Sequence, residues 1–112
     1  MSSAISAPIA YGYLRVGTDG TGEQVRRLED GIRAYAEHRG LALRGIYRET
    51  GSGLRLDRMA STVQGAGATH VILPSLEQIT NHLAIQAAVI ALLHVVGARL
   101  HLLDRAREVG HG

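Results

Sequence analysis

Apolar positions in this chain change period several times, and each change marks an element. From Ile9 to Val16 (IAYGYLRV), Ile, Tyr, Leu and Val lie densely enough for a buried strand, which runs into a turn over Gly17–Gly22. Val25, Leu28, Ile32 and Tyr35 then recur at helical spacing, with arginines and acids between them. Thr21 followed by Gln24 has the spacing of a capping box, so a helix is expected to begin there, and Gly40 to end it. Leu41–Tyr47 predicts a second strand and RETGSG the loop after it. A short helix is expected over Leu56–Gln64, closed by Gly65 and Gly67, then a third strand, His70–Leu73, stopped by Pro74. One continuous helical run is predicted from Leu76 to Val96, then Gly97 and a last strand, Ala98–Leu103. Residues 1–8 read as a flexible N-terminus, 9–104 as one folded domain and 105–112 as a short polar tail.

Short apolar strands alternating with helices predict an α/β fold: three layers, a mostly parallel sheet of four to five strands, and helices on both faces. In such folds reactive groups gather outside the carboxyl ends of the strands. Here those ends lead into Gly17–Gly22, Glu49–Gly53 and Pro74–Ile79, so function is to be sought in those three loops.

Composition narrows this picture. With 46% hydrophobic residues but no Phe or Trp, the core must be mainly aliphatic. All twelve basic residues are arginine, a usage that GC-rich bacterial coding produces, and the formal charge of +2 does not demand nucleic acid. The absence of cysteine removes disulfides, thiol catalysis and cysteine-ligated zinc. MSSAISAPIA has no basic region ahead of an apolar run, so it does not read as a signal peptide. The most apolar stretch, Leu83–Val96, is too short to span a bilayer, so a soluble cytoplasmic protein is expected, with no membrane partner.

YGYLRVGTD resembles the opening of the catalytic domain of resolvase/invertase-type serine recombinases, where the strand runs tyrosine, arginine, valine, serine, threonine. RRLEDGIRAYAEHRGLAL is similar to that family's first helix and second strand, and YRETGSGLRLDRMAS to a stretch with a Ser-Gly pair followed by an Asp-Arg pair. THVILPSLEQITNHLAIQAAVIALLHVVGARLHLLD matches the third strand, the next helix and the strand after it. The likeness runs from about Ile9 to Asp104 and implies a resolvase-like fold.

It also implies a chemistry: a serine hydroxyl attacks a DNA phosphodiester to give a covalent phosphoserine linkage. That step needs an activated nucleophile and guanidinium groups around the phosphate. By this resemblance Arg15 matches the arginine two before the nucleophile and Thr18 the threonine after it. Ser52 and Gly53 match the Ser-Gly pair, and Arg58 the arginine that reaches the phosphate; Gln24 is the nearest candidate for a first-turn glutamine.

The departures matter more. Gly17 stands where the nucleophilic serine should be. The family's Asp-Arg-x-x-Arg stretch after the third strand is here Glu77, Gln78, Ile79, Thr80, Asn81, so Gln78 and Asn81 replace both arginines. Glycine offers no nucleophile, and each lost guanidinium removes roughly 3 kcal/mol of transition-state stabilisation. The resemblance thus implies a degenerate site that does not cleave DNA. The family's long helix and DNA-binding domain have no counterpart in RAREVGHG, so sequence-specific DNA recognition is not expected of these residues.

Three functions stay open: an inactive binding or assembly module, weakly associated with DNA or a recombinase partner; a true recombinase fragment with its nucleophile substituted; and a small-anion sensor using Arg15, Thr18 and Arg58. No cofactor is implied. Among the six histidines no HxxxH or HxH pair exists, so no metal site is expected. LAIQAAVIALLHVV carries polar residues only at Gln86 and His94. Two readings fit it, a helix sandwiched in the core or a face for a homodimer.

Overall fold

The computed structural model describes residues 7–16, 22–50 and 56–104. Its elements are β1 (Ile9–Arg15), α1 (Gly22–His38), β2 (Ala42–Glu49), α2 (Leu56–Gly65), β3 (His70–Leu73), α3 (Leu76–Ile79), α4 (Leu83–Val95) and β4 (Arg99–Leu102). Four parallel strands form one sheet in the order β2-β1-β3-β4. The expected three-layer α/β architecture is therefore present, with four strands and all pairings parallel.

Alternation along β1 divides the interior in two. Ala10 and Leu14 join Ile32 and Ala36 of α1 and Ile72 of β3 on one face. Tyr13 joins Met59 and Val63 of α2, Val71 and Leu73 of β3, and Val89 and Leu93 of α4 on the other. Gly12 lets α1 sit close to the sheet: a Cβ there would lie 2.8 Å from Ile32 Cγ2 and 3.0 Å from Ile46 Cγ1. Gly40 ends α1 with φ at 69°, the left-handed turn that glycine adopts without strain.

Two boundaries differ from expectation. Strand β2 runs on to Glu49 rather than stopping at Tyr47, because Val16 N–H donates to Glu49 O at 2.9 Å and the ladder pairs Arg15 with Glu49. The single helix expected over Leu76–Val96 is two helices. Ser75 Oγ accepts from Gln78 N–H at 3.0 Å and caps α3. Thr80 then turns extended (φ −161°, ψ 149°), its Oγ1 accepting from His82 N–H at 3.2 Å. The Thr80 carbonyl accepts from the buried Gln86 side chain at 2.9 Å, so the groups freed by the break find partners. Hydrophobic periodicity does not register such a break, because it is made by polar side chains turning back on the backbone. The capping box expected at Thr21 lies outside the described residues.

α4 is not sandwiched. It buries Gln86, Val89 and Leu93 against the sheet, while Leu83 and Val95 are each 79% exposed and Ile90 46%. Among the described residues, no helix is long and apolar enough to cross a membrane.

Candidate functional site

After β1 the chain moves to β2 on one side and later to β3 on the other, so the sheet order reverses beside β1. In an open α/β sheet the crevice at that reversal, outside the carboxyl ends of the strands, is the natural binding position. Arg15, Glu49 and the segment Pro74–Ile79 meet there.

The β1–β3 ladder ends at Gly12 and Ile72, which would leave the main chain of Arg15 unpaired on the β3 side. Gln78 fills that place. Its Oε1 accepts from Arg15 N–H at 3.0 Å, and its Nε2 donates to Arg15 O. The carboxamide thus behaves like one more peptide unit added to the sheet, delivered by α3 and by the break at Thr80. The Arg15 guanidinium donates to Ile79 O at 3.2 Å, tying the same two segments together. An amide can both donate and accept, whereas a guanidinium only donates. An arginine at position 78 could not satisfy Arg15 N–H.

Two residues before Arg15, Tyr13 Oη donates to Glu49 Oε1 at 2.6 Å, with both residues 2% exposed. Burial, then the hydrogen bond and charge of Glu49, push the Tyr13 phenol far above its ordinary range, so it stays a protonated donor. The Tyr13 ring stacks on Tyr47, with centroids 5.2 Å apart and planes 9° from parallel. Arg58 Nη1 reaches Tyr47 Oη at 3.5 Å, a loose contact that leaves the guanidinium exposed at the start of α2. That contact, with the nearby acids Glu49 and Asp57, holds Arg58 above even the usual guanidinium value.

On the α1 side of the same strand ends, Arg48 Nε donates to the buried carboxylate of Glu29, and Arg33 approaches it at 3.7 Å. The hydrogen bond from Arg48 draws Glu29 below the ordinary carboxylate range against the opposing effect of burial. Beside this pair lies a cleft of about 420 Å³ lined by Val16, Val25, Arg26, Glu29, Arg48 and Thr50.

Of the sequence-predicted residues, the structure brings Arg15 and Gln78 into direct contact. Arg58 stands on α2 against Tyr47, while Glu77 and Asn81 are exposed. Gly17, Thr18, Ser52 and Gly53 lie outside the described residues. Sequence reasoning missed Tyr13, Tyr47 and Glu49. The signal is present as a period-two pattern, Tyr13–Arg15 on β1 and Tyr47–Glu49 on β2, but the polar run RETGSG places Glu49 in the expected loop. Among the described residues no cluster of three or more His, Cys, Asp or Glu is placed to hold a metal ion.

Comparison with known structures agrees with this architecture. The C-terminal catalytic domain of ISC1926 TnpA, an IS607-like serine recombinase, superposes with a TM-score of 0.72 at 19% identity, covering 85% of this chain and 69% of that one. The N-terminal catalytic domain of TP901-1 integrase gives 0.71 at 17% identity, covering 87% and 78%. The catalytic domain of IS1535 TnpA, also IS607-like, gives 0.65 at 21% identity, covering 84% and 70%. At such identities the likeness concerns the fold. No curated protein sequence matches the chain. The family model described as Resolvase, N terminal domain, matches residues 10–110, nearly the whole chain. The chain belongs to the resolvase N-terminal domain family.

Proposed function

We propose that this resolvase-like domain does not cleave DNA and works in the cytoplasm as a binding or assembly module. The observation that carries this reading is the Gln78 carboxamide, which closes the main chain of Arg15 where the family resemblance implies a phosphate-facing arginine. With Gly17 lacking a hydroxyl and Asn81 neutral and exposed, neither nucleophile nor guanidinium cluster is supplied at these positions. The test is Gly17→Ser, alone and combined with Gln78→Arg and Asn81→Arg, incubated with supercoiled DNA. No covalent protein–DNA adduct is expected from either. An adduct with Gly17→Ser alone overturns the proposal and favours the reading as a true recombinase fragment with a substituted nucleophile.

The module pairs with a second copy through α4, and weakly with DNA or a related recombinase. Support for pairing comes from Leu83 and Ile90, seven residues apart on one side of α4, and from Val95 at its end, all exposed on a helix without a single charged Asp, Glu, Lys or Arg. Light scattering after size exclusion is expected to show a dimer for the parent and a monomer for Ile90→Asp. A monomeric parent at high concentration sinks this mode of pairing. The small-anion reading with Arg15, Thr18 and Arg58 is favoured only by the loosely held, exposed guanidinium of Arg58. It requires salt-dependent retention on heparin that Arg58→Ala abolishes; unchanged retention removes it.

A further inference from the structure

On the α1 face of the sheet, away from the strand ends already described, three polar side chains from three elements meet. His70 opens β3, His101 lies in β4, and Tyr35 comes from α1. His70 Nδ1 and His101 Nε2 are 2.9 Å apart, and His101 Nδ1 lies 2.8 Å from Tyr35 Oη. The two imidazoles are tilted at 34° with centroids 5.1 Å apart, and Tyr35 meets His101 edge-on. Both nitrogens of His101 are therefore engaged, one towards each neighbouring element.

Proton bookkeeping on this chain is strict. With both rings neutral, each contact has one hydrogen and one lone pair: Tyr35 donates to His101 and His101 to His70, or the reverse order holds. One added proton is also accommodated, because a His101 imidazolium can donate to Tyr35 Oη and to His70 Nδ1 together. A second proton is not. Both facing nitrogens would then carry hydrogens across 2.9 Å, between two like charges.

The surroundings add no compensation. The charged groups acting on the pair are the Arg99 guanidinium from β4 and the Arg39 guanidinium just beyond α1, which lies 5.0 Å over the Tyr35 ring. β1 presents Ala10 opposite His70, and among the described residues no carboxylate acts on either ring. Burial first, and then these positive neighbours, hold both imidazoles below the ordinary histidine value of 6.5.

We propose that Tyr35, His101 and His70 form an acid-sensitive latch that clamps the edge strand β4 onto β3 and α1. It holds with no proton or one added, and opens when both imidazoles are charged. Strand β4 suits this role because it is four residues long and, among the described residues, pairs with β3 alone. Beyond this chain of side chains it is held by its ladder to β3 and by the half-buried Leu100 and Leu102, and such a short strand is among the first elements to open locally. The sign follows from linkage. The open form binds protons near the ordinary histidine value and the closed form only below it, so closure is favoured above about pH 6.5 and lost as pH falls.

Two measurements on the whole chain test this. Ring-proton NMR titration of the parent is expected to show His70 and His101 titrating in two coupled steps, the second well below the ordinary value. Two independent curves near the ordinary value overturn the latch. Hydrogen exchange, corrected for intrinsic rate, is expected to show Leu100–Leu102 losing protection with falling pH, approaching about tenfold per pH unit for each extra proton taken up on opening. The β1 amides should keep theirs. In His70→Asn, whose side-chain oxygen can still accept from His101, that pH dependence is expected to weaken to the share of His101, which burial, Arg39 and Arg99 still hold down. Equal loss in β1 and β4, or an unchanged pH dependence in His70→Asn, overturns the proposal.

Discussion

Arg48 and Glu49 are neighbours in β2, and each closes on a buried carboxylate system on opposite faces of the sheet. On the α1 face, Glu29 is buried and Arg48, with a side chain 56% exposed, caps it with a guanidinium. On the α2 and α4 face, Glu49 is itself buried and accepts from the neutral phenol of Tyr13. The first pair draws on a full opposite charge at the rim of a cleft, and water screens it. The second is sealed beneath stacked tyrosines, where a hydrogen bond is stronger and its loss costs more. One strand thus makes both an adjustable surface contact and a rigid internal one, because alternation sends successive side chains to different layers.

Removing the sealed hydrogen bond should have the largest effect. Tyr13→Phe leaves a buried carboxylate oxygen without its donor while keeping the ring stack on Tyr47, and should destabilise the domain by about 3 kcal/mol in urea unfolding. A loss below about 0.5 kcal/mol would mean that water reaches Glu49, and the contrast between the two faces would collapse. Arg48→Ala should come next, clearly smaller, because solvent at the cleft can rehydrate Glu29 and Arg33 stands 3.7 Å away. A loss equal to that of Tyr13→Phe would show that both faces are equally sealed.

The smallest effect should appear in the pH dependence. Glu29 is held below its ordinary value chiefly by the hydrogen bond from Arg48, so its contribution is present above the unfolded carboxylate pKa of about 4.3. It is lost as pH falls through the lower folded value. Unfolding midpoints measured between pH 6 and 3 should therefore fall less steeply for Glu29→Gln than for the parent. Identical slopes would remove the charge from the account of the α1 face.

The layers were legible in the sequence because they rest on local repetition. The period of two in YGYLR and the helical spacing of Val25, Leu28, Ile32 and Tyr35 each follow from one turn or pleat of backbone. The family resemblance was legible too, since short motifs in a fixed order carry it. The candidate site was less so. Gln78 read as a lost arginine, yet in the structure it completes the sheet beside a residue 63 positions earlier in the chain. The histidines were weighed by their spacing along the chain, which says nothing of His70 and His101 meeting across parallel strands, 31 residues apart.

By itself the sequence determined the alternating strands and helices, the aliphatic core in two layers, and the absence of a hydroxyl at Gly17. Only the tertiary structure decided that α4 shows an apolar face outward, that Glu49 is sealed under Tyr13, and that the helix after Pro74 breaks at Thr80. Periodicity reports which side of its own element a residue occupies. What lies against that side depends on crossover connections that bring distant residues within hydrogen-bond reach.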